Sequence, residues 1–366
     1  MNCQQLIEPP NVIMPLSYTQ KELESTANVL AHLWCQRQTI QLVAHHLAKR
    51  TIRQIILIGS GDSLAVAKLA CFDMETMLHI PCRVWQSYEF IQQATQRLSN
   101  DCLVIAISAS GRPSPVLEAL RLAIASNAVV IGLTNQANNP FSQLPEYSLL
   151  THAHKLGVPT QSTTATLFLL LLLGCEWANN RKTIASEDYQ LILHSLHNVV
   201  RQLPDVQKTI TQHWQQQDRS VFFTQPVTFL STGSTNAIAT LATNLMSCGP
   251  QLHTDAFLLE EYHHSLRLNQ TNKTQRFIVF APLIDSLNLI AETKQTLRQI
   301  GANMTILSPY DYLSSLKNHS DSLSCVEIAA INRQTNFYHL IFLQTLSLQL
   351  AADYLADGGT RVTLDG

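Results

Sequence analysis

The chain has 366 residues, with 24 Lys and Arg against 26 Asp and Glu, a net charge of −2, and 14% charged against 46% hydrophobic residues. That length supports two domains of ordinary size, and the near-zero charge excludes a basic field able to recruit nucleic acid or an anionic membrane. A charged fraction well below the usual value of about a quarter predicts that a second copy of the chain covers part of the surface, giving a homodimer.

Residues 1–20 read as a tail. Met1 to Tyr18 lacks the basic start and continuous apolar core of an export signal, so a cytoplasmic protein is expected. From Arg53, RQIILIGSGDSLAVAKLACF is an apolar strand (Ile55 to Ile58), a turn (Gly59-Ser60-Gly61-Asp62-Ser63) and a helix with Leu64, Val66, Ala67, Leu69 and Ala70 on its apolar face. MLHIPCRVWQSYEF then supplies a short strand around Arg83 to Trp85 and ends near Glu89. LVIAISASGRPSP, from Leu103 to Pro115, repeats the design: an apolar strand runs into Ser108-Ala109-Ser110-Gly111 and a new helix. Strand, hydroxyls, glycine and helix N-terminus together offer unpaired N–H groups, Ser Oγ donors and the positive end of a dipole, which suits a phosphate. An isolated Ser at such a place is equally an N-cap.

LRLAIASNAVVIGLTN (Leu120 to Asn135) is helix, turn and strand, and THAHKLGVPTQSTTATLFLLLLL (Thr151 to Leu173) is a hydroxyl-rich loop followed by an apolar helix. The apolar block Ala165 to Cys175 is too short for a bilayer, which takes about 20 residues, and reads as a buried core helix. Residues 185–217 carry helical spacing and form a linker, with Ser186 and Glu187 or Asp188 as caps. PVTFLSTGSTNAIATLATNLM (Pro226 to Met246) repeats the strand, Gly-Ser turn and helix about 170 residues after the first copy, with Gly233 where Gly61 stood. Alternating strands and helices predict parallel sheets covered on both faces. The fold class is α/β, two domains at residues 21–184 and 218–355, each a three-layer α/β/α sandwich, with residues 356–366 as a C-terminal tail near the site. The eight cysteines show no CxxC spacing, and His152, His154, His253 and His263 form no metal-binding pattern, so no metal or other cofactor is expected.

This order resembles the sugar isomerase (SIS) domain family, in the tandem form of the isomerase half of glucosamine-6-phosphate synthase and the fructosamine-phosphate deglycases. Gly59 to Ser63 is similar to the family's GxGxS turn, Ser108 to Gly111 to its S-x-S-G loop, Pro81, Cys82, Val84, Glu89 and Phe90 to its PCxVxxxxEF segment, and Gly157 to Thr160 to its GVAST-type loop. HTDAFLLEEYHHSL, from His253 to Leu266, resembles HAEAY…ExxHGP without gaps, through His253, Asp255, Ala256, Phe257, Glu261 and His264.

The resemblance implies a phosphorylated sugar or amino-sugar ligand and isomerase, deglycase or deaminase chemistry. Its phosphate would lie among Ser60, Gly61, Ser63, Ser108, Ala109, Ser110, Gly111, Ser114 and Thr160; His264 would handle the ring oxygen, and Glu261 would orient His264 or carry the proton. The family's proton-transferring Glu precedes that His by sixteen residues, and Cys248 occupies the position here. Nothing beside Cys248 in sequence would depress its pKa, which leaves Glu260, Glu261 or Asp255 as carriers, a different reaction, or a non-catalytic sugar-phosphate-binding regulator. Pro113 replaces a family Thr, Ala109 replaces a common Gln, and Pro282 to Ser286 in the second copy lack the paired hydroxyls and glycine. In the tail GGTRVTLDG, Thr360 falls on the family's Lys position, and Arg361, one step away, is expected to reach the ligand as a fixed cation, though it cannot form an imine.

Overall fold

The computed structural model describes residues 16–94, 98–112, 114–158, 160–264, 274–281, 287–309, 324–328 and 335–359. It opens with α1 (Leu16–Glu24), α2 (Thr26–Cys35) and α3 (Arg37–Ala48). Leu23, Leu30, Leu33, Ile40, Val43 and Leu47 recur at helical spacing and are buried. Residues 16–20, assigned to a tail from sequence, are instead the first turns of α1, with Thr19 buried.

The first sheet is built from β1 (Gln54–Gly59), β2 (Cys82–Gln86), β3 (Cys102–Ile107), β4 (Val129–Thr134) and β5 (Tyr147–Leu150), in the order β2-β1-β3-β4-β5. All its pairings are parallel, with Ile58 opposite Trp85 on one side and Ala106 on the other. Connecting elements are α4 (Asp62–Leu78), α5 (Ser87–Glu89), α6 (Ser114–Ala125) and α7 (Pro140–Gln143). β3 and β4 are buried throughout, as their unbroken apolar runs require of strands covered on both faces.

α8 (Gln161–Arg181) has no polar stripe, and every residue from Gln161 to Ala178 is buried. It packs on α3 and α4, which cover the face that an amphipathic helix would leave wet. α9 (Ser186–Gln216) falls between the two sheets in sequence; Leu196, Val199, Leu203, Ile210 and Trp214 form its buried face, and Pro204 lies within it.

α10 (Val221–Thr224) leads to the second sheet: β6 (Val227–Ser231), β7 (Thr254–Leu258), β8 (Arg276–Phe280), β9 (Asn303–Pro309) and β10 (Ser324–Ile328), again all parallel. Its order, β10-β9-β8-β6-β7, is that of the first sheet read from the other edge. α11 (Asn236–Cys248), α12 (Leu259–His264) and α13 (Leu287–Ile300) connect the strands, and α14 (Thr335–Ala356) ends the described chain, buried from Thr335 to Ser347. α11 lies against both α4 and α14. One apolar core therefore runs from Leu57 and Leu170 through Leu241 to Phe337 and Phe342, joining the two sheets.

Candidate functional site

From β1 the chain moves to β2 on one side, then returns across β1 to β3, so the strand order reverses between β1 and β3. In open α/β sheets the carboxyl ends of strands at such a reversal diverge and leave a crevice. A cleft of ≈ 370 Å³ opens there, lined by Ser60 to Ser63 after β1, by Ile107 to Ser110 after β3, and by Lys155, Ser162, Thr163 and Thr166. The second domain closes it with Asn244, Ser247 and Cys248 from the end of α11.

α4, α6 and α8 each contribute residues near their N-termini to this cleft: Asp62 and Ser63, Val116, and Ser162 and Thr163. The partial positive charges of three helix starts and their unpaired N–H groups converge on one volume, and six hydroxyl side chains besides those of Ser108 and Ser110 line it. That arrangement favours a compact anion rich in acceptor oxygens.

The backbone there is fixed from outside. Gly61 has φ +56°, a value that L side chains rarely adopt, and this turns β1 into α4. Ser60 Oγ lies 2.9 Å from Ser87 Oγ, linking the turn to the end of β2. In the second loop the Gly111 N–H donates to Ser108 Oγ at 3.1 Å, while the Ala109 carbonyl accepts from the Asn135 N–H at 3.1 Å and from Thr134 Oγ1 at 3.3 Å. Lys155 sits on the loop after β5, which α1 holds: the Glu22 carboxylate accepts from the N–H groups of Leu156 and Gly157, and Thr19 Oγ1 from that of Val158.

Asp62 is the one carboxylate among the described residues lining the cleft. Burial pushes its pKa up to about 6, opposed by the Lys155 ammonium and by a hydrogen bond from the Asn244 side chain. A carboxyl group poised near neutrality in a cleft is suited to exchange protons.

Of the residues singled out in the sequence, Ser60, Gly61, Ser63, Ser108, Ala109 and Ser110 meet in the cleft, as does Cys248. Gly111 is not in the lining, and its N–H donates to Ser108 Oγ. Ser114 is the first residue of α6. Arg361 and Thr360 lie outside the described residues, as do Pro113 and Pro282 to Ser286.

Three placements differ from expectation. Thr160 is 1% exposed and faces a small gap beside Leu245, Gln344 and Ser347, with its carbonyl accepting from Gln344 Nε2 at 3.0 Å; the start of α8 turns it toward α14 and away from the cleft. Glu261 and His264 lie on α12, exposed and outside the cleft lining, because α12 packs on β6, β7 and α13. The third concerns residues that motif matching passed over: Lys155, Thr163, Thr166 and Asn244 all line the cleft. Among the described residues no group of three or more His, Cys, Asp or Glu is placed to hold a metal ion, and no helix is long and apolar enough to cross a membrane.

Comparison with known proteins agrees with this geometry. Residues 49–174 match the SIS domain family model. Glutamine–fructose-6-phosphate aminotransferase of Chlamydia trachomatis is 29% identical over 189 residues, 50% of this chain and 31% of that protein. Fructoselysine 6-phosphate deglycase of Escherichia coli K12 is 24% identical over 131 residues, 36% of this chain and 38% of that protein. The matches thus span about a third of the curated relatives' length. The solved C-terminal domain of glucosamine-fructose-6-phosphate aminotransferase from Francisella tularensis superposes with TM-score 0.80 at 19% identity, covering 95% of this chain and 98% of that one. Glucosamine-6-phosphate deaminase from Thermotoga maritima follows with TM-score 0.69 at 17% identity, covering 93% and 95%. The SIS match is confined to residues 49–174, whereas the fold-level superposition takes in both sheets.

Proposed function

We propose that the chain binds a phosphorylated sugar or amino-sugar derivative in this cleft and catalyses its isomerisation, deglycation or deamination. The convergence of three helix N-termini with Ser60, Ser63, Ser108 and Ser110 at the strand reversal carries this reading. The phosphate lies among those hydroxyls and the N–H groups of the Gly59–Ser63 and Ser108–Gly111 turns. Lys155 adds a charge of the right sign. The sugar then extends toward Asp62, Asn244 and Cys248, where the chemistry takes place. Its kinship with proteins named as an aminotransferase acting on fructose-6-phosphate and as a fructoselysine 6-phosphate deglycase supports that ligand class.

The protein works as a homodimer in this reading, since its low charged fraction favours burial of surface against a second copy.

Titration calorimetry with fructose-6-phosphate and glucosamine-6-phosphate, beside their unphosphorylated parents, tests the site, and NMR of the same mixtures tests turnover. Binding should require the phosphate and weaken at least about tenfold in a Ser108→Ala, Ser110→Ala double variant, given roughly 1 kcal/mol or more per lost hydrogen bond to a charged group. Equal affinity for the unphosphorylated sugars would refute the site. Cys248 at the family's carboxylate position favours a second reading, sugar-phosphate binding without conversion, and tight binding with no turnover would establish it.

A further inference from the structure

We infer that Asp62 is the general base of this cleft, carrying a proton between neighbouring carbons of the bound sugar, with Lys155 exchanging protons with the sugar oxygens. This rests on the sugar-phosphate reading above.

Moving a hydrogen between C-1 and C-2 needs one group that takes a proton from carbon and gives it back, within reach of a ligand anchored by its phosphate. The position matched to the family's Glu is Cys248, and Glu261 and His264 are outside the cleft lining. Asp62, at the start of α4, lines the same cleft as Cys248 and is the one carboxylate among the described lining residues. Two residues of the same lining favour its charged form: the Lys155 ammonium, and the Asn244 side chain from the second domain. Asp62 is not the N-cap of α4, a place that Gly61 holds with no side chain capping the helix. Its pKa, raised by burial to about 6, gives a base that is ionised at neutral pH yet able to hold a proton in passing.

The step balances without a further reactant. The Asp62 carboxylate takes the C-2 proton of the open-chain aldose; the C–H pair becomes the C-1=C-2 bond, and the carbonyl pair moves to O-1, which takes a proton from the Lys155 ammonium. The O-2 hydroxyl, or in glucosamine-6-phosphate the C-2 amine, then returns a proton to the Lys155 amine as the C-2 carbonyl or imine forms, and C-1 takes the proton held on Asp62.

The test is exchange in deuterium oxide, with proton NMR following the C-1 signals of fructose-6-phosphate and the C-2 signal of glucosamine-6-phosphate, alongside calorimetric affinities. Wild type should wash out one of these protons. Asp62→Asn, nearly isosteric, should bind within a few-fold of wild type and exchange at least about 100-fold more slowly, the lower end of what general-base catalysis contributes. The wild-type exchange rate at low ligand concentration should fall as the pH drops below about 6, a readout independent of whether the variant folds. Undiminished exchange in Asp62→Asn, a flat pH profile from 5 to 8, or wild-type binding without exchange would each overturn the role of Asp62 and leave sugar-phosphate binding intact. Failure of the wild type to bind either phosphate would overturn both.

Discussion

Asp62, on α4 of the first domain, and Asn244, on α11 of the second, line the same cleft, and the Asn244 side chain helps to hold the Asp62 carboxyl pKa down against its burial. The charge in the cleft is therefore tuned across the junction between the two sheets. A donor to the ionised form holds the pKa down, so removing it lets burial act with less opposition. Asn244→Ala should move the acid limb of kcat/KM upward from about 6, while Asn244→Asp, which sets a second carboxylate beside the first, should move it further. Profiles of sugar-phosphate exchange against pH measure both; a limb that stays in place would show that the two side chains are not coupled.

Glu22 joins the first helix to the loop bearing Lys155. It is 4% exposed and accepts from two consecutive N–H groups, and its own carbonyl accepts from Gln161 Nε2 at 3.0 Å. Glu22→Ala strands both N–H groups, at a cost of about 1–3 kcal/mol each where no water reaches them. Urea unfolding should register a loss of that order, and the affinity for fructose-6-phosphate should fall as the loop loosens. An unchanged affinity would remove Lys155 from the phosphate site.

Gly111 has φ +66°, and a Cβ there would lie 2.5 Å from Asn139 Cγ. Asn139 cannot easily retreat, since its Oδ1 accepts from the Phe141 N–H at 2.9 Å and its Nδ2 donates to the Gln136 carbonyl at 2.7 Å. Gly111→Ala therefore combines a strained backbone with a forced displacement of the cap of α7. We expect a loss of about 1–3 kcal/mol in urea unfolding, with phosphosugar affinity falling more than tenfold as the Ser108–Ser110 loop shifts.

The parts of the site that sit directly after a strand were legible in the sequence. Ser60 to Ser63 and Ser108 to Ser110 follow apolar runs that can only be strands, and a turn at a parallel strand's end has little freedom in where it points. Thr160 shows where that reasoning stops. α8 begins one residue later, and its helical period divides the hydroxyls: Ser162, Thr163 and Thr166 share the face toward the cleft, while Thr160 and Thr164 meet Gln344 of α14. The spacing of 162, 163 and 166 on an otherwise apolar helix was the available signal. Lys155 and Asn244 had none, because both reach the cleft through packing between elements distant in sequence. His264 and Glu261 match a motif without gaps, yet a match fixes neither the face of α12 nor the cleft it serves.

His339 is fully buried on α14, its ring 5.2 Å from that of Phe280, and burial pushes its pKa down to about 3. The folded protein keeps it neutral, whereas the unfolded chain binds a proton below the ordinary 6.5. Its contribution is present above that pH and is lost as pH falls from 6.5 toward about 3. His339→Leu, which keeps an apolar side chain there, should flatten the acid arm of stability measured by urea unfolding at pH 7 and pH 4.5. An equally steep arm in the variant would assign acid unfolding to other groups.

Asp62 has the opposite sign. Its folded pKa is raised from 3.8 to about 6, so the folded state binds the proton more tightly, and the stability gained from the protonated form is lost as pH rises through that window. Above pH 6 the folded protein carries a carboxylate it holds less well than water does. Asp62→Asn should therefore melt higher than wild type at pH 8 and close to wild type at pH 4, with the gap opening between the two. Were the variant less stable than wild type at pH 8, the favourable place of the Asp62 charge in the first turn of α4 and its attraction to Lys155 would outweigh its desolvation. A higher melting temperature together with lost exchange would show one side chain held in place for chemistry at the expense of stability.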